Sequence, residues 1–229
     1  MINPLTRAIG GAALPLLALL GLAGCDLAAP APAAVHTADT GTARAALADL
    51  PVKGRAPKTG YSRDEFPHWS DLDGDGCDSR AETLQRDAIP DTLIRDRHQC
   101  VVGATIQDPY TGRQITEQPG RGSDVDIDHL VALSDAWQKG AQQLTRDERE
   151  QLANDPLNLA AVDDGLNRKK SDGDAATWLP PNKTYRCTYV AAQVAVKTKH
   201  QLWVTQAEHD AIARVLAGCP GQPLPGGQS

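Results

Sequence analysis

Asp126-Ile127-Asp128-His129, Asn154-Asp155-Pro156-Leu157-Asn158-Leu159 and Asn167-Arg168-Lys169-Lys170-Ser171 are the stretches that decide the fold. The first lies in an apolar run over 125–133 that carries acids at Asp126 and Asp128, and it reads as a strand running into a loop. Residues 157–162 read as a second strand, and a helix is expected to start around Asp163 and to carry Asn167 through Lys170. The order is strand, strand, helix. Between the strands, 133–154 reads as helical with an interruption at Gly140. Upstream, 80–95 reads as partly helical, and 101–107 followed by Asp108-Pro109-Tyr110-Thr111-Gly112 as a strand and turn. Downstream, 182–200 reads as a helix with Cys187, Val190, Ala191 and Val194 on one face. A second helix runs from Thr205, where Thr205 and Glu208 form a capping box, to near Gly218. The expected class is α+β, a small hairpin-helix core with additional helices.

The chain has 229 residues, 41% apolar and 23% charged, with a formal net charge of −6. That is the composition of a soluble globular protein with room for one ordinary domain. Four Trp, four Tyr and one Phe are too few for a nucleic-acid module built on rows of stacking rings, and the acidic total argues against a wholly basic DNA-coating protein. Residues 1–25 read as a signal peptide, because Arg7 precedes a Leu/Ala-rich run over 8–23 that is too short and too interrupted to span a bilayer. Leu22-Ala23-Gly24-Cys25 resembles the lipobox of bacterial lipoproteins. This implies a lipid on Cys25 and an exported protein anchored to a membrane, on its periplasmic or cell-surface side. Residues 26–60, rich in Ala, Pro and Thr without an apolar period, read as a tether. The domain is expected over 61–219, and 220–229 as a disordered Gly/Pro/Gln tail.

Export places cysteines where disulfides persist. Apart from Cys25 the chain has Cys77, Cys100, Cys187 and Cys219, which allow three pairings. If the two C-terminal helices pack antiparallel about Trp203, Cys187 and Cys219 lie sixteen residues either side of the turn and come level. That predicts a Cys187–Cys219 disulfide and, by elimination, Cys77–Cys100. A four-cysteine zinc site is the rival, weakened by the lack of any C-x-x-C pair.

The three opening stretches together resemble the HNH endonucleases, the ββα-metal nucleases, and most closely an exported branch with DIDH, NDPLNL and N-R-x-K motifs. The likeness runs on through Trp178-Leu179-Pro180-Pro181 and covers most of the chain from about Trp69 to Cys219. It implies a ββα-metal core and a metal-dependent endonuclease that hydrolyses DNA, with RNA as a further substrate, and with little sequence specificity. It also implies Asp128 as metal ligand, His129 as general base, Asn167 as a ligand from the opposite wall, and Asn158 as the residue that holds hairpin and base loop in register. Asp126 is either an extra ligand or an acid behind the ligands. The residue types suit the chemistry. Phosphodiester hydrolysis needs a water made nucleophilic, an electrophile, and help for the departing alkoxide. Histidine is neutral and still basic near pH 7, and carboxylate and amide oxygens favour Mg²⁺ or Mn²⁺ over Zn²⁺. Strand alternation puts Asp128 and His129 on opposite faces, so one must reach the metal while the other reaches over the substrate.

Over 165–199, Arg168, Lys169, Lys170, Lys183, Arg186, Lys197 and Lys199 stand against Asp172 and Asp174. Arg168, Lys169 and Lys170 are therefore expected to meet substrate phosphates, contacts that carry no sequence information; a solvated helix face is the alternative. His36, His68, His98, His200 and His209 read as ordinary solvated side chains. Asp71, Asp73, Asp75 and Glu82 fit the calcium-loop pattern, which makes a structural Ca²⁺ a candidate beside the bland reading of an acidic turn. The expected partner is nucleic acid, the expected state a monomer. The rival to the nuclease reading is a catalytically idle Ca²⁺-binding surface lipoprotein whose HNH-like hairpin is only a scaffold.

Overall fold

The computed structural model describes residues 41–120 and 122–226. Cys25 and the expected signal segment lie outside the described residues, as do His36 and residues 227–229. Along the chain, α1 (Ala43–Asp49) and α2 (Ser79–Asp87) precede an antiparallel sheet of β1 (Ile94–Arg95), β2 (Val101–Gln107) and β3 (Gln114–Glu117). Then come β4 (Val125–His129), α3 (Leu133–Gln138), α4 (Arg146–Ala153) and β5 (Leu159–Asp163). Three helices close the chain: α5 (Asp164–Lys170), α6 (Arg186–Lys199) and α7 (Gln206–Ala217). The class is mixed α and β, as expected.

Local chemistry explains the boundaries. The break at Gly140 is a backbone requirement: its φ is 126°, and a Cβ there would lie 3.2 Å from the Trp203 ring, so only glycine fits without strain. Thr145 and Glu148 form a reciprocal capping box that starts α4, and Thr205 with Glu208 does the same for α7. The Asp163 side chain accepts from the Leu166 N–H, which turns β5 directly into α5 without a loop. Both expected disulfides are present, Cys77–Cys100 and Cys187–Cys219.

β4 pairs with β5 in antiparallel register, from Val125 opposite Asp163 to His129 opposite Leu159. Alternation then sorts the hairpin's two faces. Val125, Ile127, Leu159 and Ala161 pack with Leu84 of α2 and with Val101 and Ile106 of β2. Ala160 and Val162 pack in the opposite cluster, with Val190 and Val194 of α6 and Ile212 of α7.

The expected boundaries at both ends are corrected. Residues 41–60 belong to the domain: Ala43, Leu47 and Leu50 are buried in the cluster formed with α6 and α7. Lys53 N–H donates to Val204 O at 3.0 Å, Ala56 N–H to Gln138 O at 2.8 Å, and the Trp203 indole to Gly54 O at 3.0 Å. The helix responsible has seven residues, too few for a periodic signal within an Ala/Pro-rich stretch. The tail is tied to the same segment, with Ala43 N–H donating to Gln222 O and Leu224 N–H to Gly41 O, both at 2.9 Å.

Charge joins the helical layer to the segment that leaves α5. Lys139 Nζ, fully buried, lies 2.7 Å from Asp135, 2.7 Å from Asp174 and 2.6 Å from Glu208. Lys197 is buried beside Glu208 at 3.0 Å, and Arg55 reaches Asp135 and Asp174 at 2.8 Å each. Burial alone would lower the Lys139 pKa; the pull of Asp135 and Glu208 outweighs it and holds the ammonium above its ordinary range. The three carboxylates lie close enough together to share a metal ion, and the Lys139 ammonium occupies that position. Because Asp174 follows α5, the network fixes the path of the chain as it leaves that helix.

Candidate active site

A cleft of about 380 Å³ opens where the hairpin meets α5, and Arg63, Asp126, Asp128, His129, Asn167 and Arg168 are among the residues that line it. Asp126 and Asp128 share one face of β4. Asn167 Nδ2 donates to Asp126 Oδ2 at 2.7 Å, so strand and helix meet at an amide and a carboxylate. The Asp126 side chain is 42% exposed, with Arg80 Nη1 at 4.0 Å from Oδ1.

Asp128 lies deeper. Lys170 Nζ donates at 2.8 Å to its Oδ1 and at 2.8 Å to the main-chain oxygen of His129, and the Tyr110 hydroxyl donates to Oδ2. Burial holds the Asp128 carboxyl above the usual range, with Lys170 and Tyr110 opposing that rise only in part. Burial first, then Asp128, pushes the Tyr110 phenol well above its ordinary pKa, so it stays a donor. A carboxylate offers about four lone-pair sites, so Asp128 keeps acceptor capacity toward the cleft it lines.

Lys170 is therefore corrected: buried and ion-paired, it is not a phosphate contact. Three residues beyond Asn167, it returns to the α5 face that packs on β4, whereas Arg168 and Lys169 are exposed. The rest of the basic run does not gather into one surface either. Lys197 is in the buried network, Lys199 pairs with Asp155 at 2.8 Å, Arg168 pairs with Asp164, and Lys183 and Arg186 line a different cleft. Sequence reasoning missed Lys58 and Arg63, which line the main cleft; the only hint was a scatter of cations among the prolines and glycines of 53–63. His200, expected to be solvated, bonds the buried Asp155 at 2.7 Å.

His129 is buried, with Nε2 2.8 Å from the Ala153 carbonyl oxygen. A carbonyl only accepts, which places the ring proton on Nε2 and leaves Nδ1 with its lone pair. Among the described residues no hydrogen bond engages Nδ1. The Trp69 ring lies 5.7 Å from the imidazole, at 31°. Trp69 reaches that position from a left-handed φ of 60°, an uncommon conformation for an aromatic residue. Burial is the main cause that lowers the His129 pKa from 6.5 to about 3, against the bond to Ala153 and with help from Arg63, Lys170 and His68. The ring is neutral at neutral pH.

Asn158 bonds to the loop that leaves β4 and to the end of α4. Its Oδ1 accepts from Val131 N–H at 2.8 Å, its Nδ2 donates to Leu152 O at 3.2 Å, and its main-chain oxygen accepts from Leu130 N–H at 2.8 Å. It is fully buried and does not line the cleft, so its place among the catalytic residues is corrected to a positioning one. In the calcium-like loop, exposed Asp71, Asp73 and Asp75 lie close enough to share an ion, and Glu82 is not in that group. The carboxylates already accept from loop amides, Asp71 from Gly74 and Gly76, Asp73 from Asp75, and Asp75 from Cys77. Asp78 caps α2.

Two predictions follow from burial. Breaking a buried pair by removing one partner costs about 3–5 kcal/mol, so Lys170→Met should lower unfolding free energy in urea by that amount. Asp128→Asn combined with Lys170→Met should cost less than the two singles summed; strictly additive costs would show that the pair does not bind helix to strand. For His129, the folded pKa lies below the unfolded one, so only the unfolded chain takes up a proton between 6.5 and about 3. Its contribution to stability is complete above that window and is lost as pH falls through it, at most ~1.4 kcal/mol per pH unit. His129→Gln, whose amide can still donate to Ala153, should show the flatter acid-side stability profile. Identical profiles would mean that the imidazole is solvated.

The family model for the GmrSD restriction endonucleases, C-terminal domain, matches residues 78–215. A protein of Arthroderma benhamiae (strain ATCC MYA-4681 / CBS 112371), described as an uncharacterized secreted protein, is 38% identical over 194 residues, which cover 83% of this chain and 91% of that protein. No solved structure matches. By this match the chain belongs to the GmrSD C-terminal-domain family, an HNH-like nuclease family.

Proposed function

We propose that this chain is an exported endonuclease that uses a divalent metal to hydrolyse DNA, and RNA as well, with little sequence preference. The observation that carries the reading is the convergence in one cleft of a neutral histidine with an unengaged Nδ1 and oxygen donors from β4 and α5. Asp126, Asp128 and Asn167 offer only oxygens, a donor set that fits Mg²⁺ or Mn²⁺. When bound, such an ion supplies a Lewis acid for the phosphate and leaving oxygens.

The chain's own residues do the rest. His129 Nδ1 takes the proton from the attacking water, and the Ala153 carbonyl holds the ring in the tautomer that this needs. A phosphodiester entering the cleft brings negative charge beside the ring and raises its pKa from the low value of the free site. Arg63 and Arg168 neutralise that phosphate. Lys170 and Tyr110 hold Asp128, and Asn158 holds the loop behind His129. Contacts of this kind address phosphate rather than base edges, which supports low sequence preference.

Export is supported by the secreted relative and by two disulfides, which suit an oxidising compartment. Among the described residues no helix is long and apolar enough to cross a membrane, so membrane attachment in this reading rests on a lipid at Cys25. One chain holds every residue the reading uses, and a monomer suffices.

His129→Ala should lower turnover by about 10²–10⁴-fold with an unchanged near-ultraviolet dichroism spectrum. Asp126→Ala and Asn167→Ala should raise the metal concentration needed for half activity; they are cleaner tests than Asp128 variants, which also break the buried pair. Full activity in the first variant, or unaltered metal titrations in the others, would contradict the assigned roles.

A further inference from the structure

A second depression adjoins the main cleft and shares Lys58 and Asp172 with it. Its volume is about 510 Å³, and Trp178, Thr177, Lys169 and Arg55 contribute to its wall. The size is within the ~300–1,000 Å³ of ordinary ligand clefts. The cations around it differ in what already holds them. Arg55 is tied to Asp135 and Asp174, and Lys170 to Asp128. Lys58 meets Asp172 at 3.3 Å with both side chains about half exposed, 51% each, a contact that water screens and a stronger anion displaces. Lys169 is exposed and has no ion pair among the described residues. Trp178 is half-buried, its ring 4.9 Å from that of Tyr110, so it is a rigidly backed aromatic wall.

We infer that the two depressions form one track for a nucleic-acid strand, in which the second seats the nucleotide adjoining the cleaved bond. Lys58 and Lys169 take its phosphate and Trp178 packs against its ring. Thr177 and Gln138 also line the depression, but the Thr177 hydroxyl and the Gln138 amide nitrogen already donate to the main-chain oxygens of Asp174 and Ser134, and aromatic packing with phosphate contacts is the chemistry of sequence-tolerant strand binding. The inference rests on the nuclease reading and adds to it a substrate class, a strand extending at least one nucleotide past the scissile phosphate. It also gives a use to Lys58, which the N-terminal segment brings to the site.

The test compares the unaltered protein with a Lys58→Ala/Lys169→Ala double variant. Binding of a single-stranded oligonucleotide is measured in EDTA by fluorescence anisotropy over a range of salt. Hydrolysis with Mg²⁺ or Mn²⁺ is measured on that oligonucleotide and on bis(p-nitrophenyl) phosphate, which reaches only the first depression. The double variant is expected to bind the oligonucleotide about tenfold or more weakly, with a salt slope shallower by about one to two units. Its kcat/KM should fall at least about tenfold further on the oligonucleotide than on the small diester, the scale of one or two charge-assisted contacts. Unchanged affinity and salt slope, or equal losses on both substrates, would overturn the inference. If the unaltered protein binds the oligonucleotide but hydrolyses neither substrate, the nuclease reading fails, and the binding comparison alone still decides whether the track exists.

Discussion

The ammonium of Lys170, donating at 2.8 Å both to Asp128 and to the main-chain oxygen of His129, ties the last residue of α5 to the end of β4. An unpaired charge at that depth would be costly, and the same low-polarity surroundings make the pair hard to separate once its hydrogen bonds are complete. The position of α5 over the hairpin follows from it. With the helix held there, Asn167 meets Asp126 one turn earlier, and His129 is held from its own carbonyl on one side and from Ala153 on the other. Tyr110 completes the enclosure of Asp128, and its ring packs against Trp178 and Tyr189, which carries the constraint into α6.

A second ionic layer supports the first. Lys139, Lys197 and Arg55 surround Asp135, Asp174 and Glu208, so the segment leaving α5 and the helices α3, α6 and α7 are fixed relative to one another by charges that offset one another. The Cys187–Cys219 disulfide ties the start of α6 to the chain just beyond α7, and Cys77–Cys100 ties the approach to α2 to β2. Scaffold and site thus divide their ionisable groups. The buried ammonium groups of Lys139, Lys170 and Lys197 are paired with carboxylates and hold geometry, whereas Lys58, Arg63, Arg168 and Lys169 lie on the rim of the two depressions.

Period-2 and period-3.6 patterns made β2, β4, β5 and the C-terminal helix pair legible in the sequence, and the level positions of Cys187 and Cys219 about Trp203 made one disulfide legible and the other its complement. Glycine's freedom at positive φ made the break at 140 legible. What was hidden lay in tertiary context. Lys170 and Arg168 are the same kind of residue in sequence, and only the docking of α5 onto β4 decides that one is buried and the other exposed. Asp126 and Asp128 share a face by alternation, but which of them Tyr110 and Lys170 enclose depends on residues far away along the chain. α1 was unreadable because a short alanine-rich helix has no pattern apart from the surface that buries it. The cations of 55–63 were overlooked for the same reason: they reach the cleft only because α1 and the strand-like segment after it are pinned to Val204, Gln138 and Trp203.

The site is thus a corner in which one neutral histidine and the side chains of Asp126, Asp128 and Asn167 line a common space, with cations on its rim. The most direct test of that account is incubation of purified protein with supercoiled plasmid in Mg²⁺ or Mn²⁺, and in excess EDTA. The account predicts nicking and then fragmentation at many positions with the ion present, and none with the chelator. Plasmid left intact under both conditions, by protein whose disulfides and fold are verified, would contradict it.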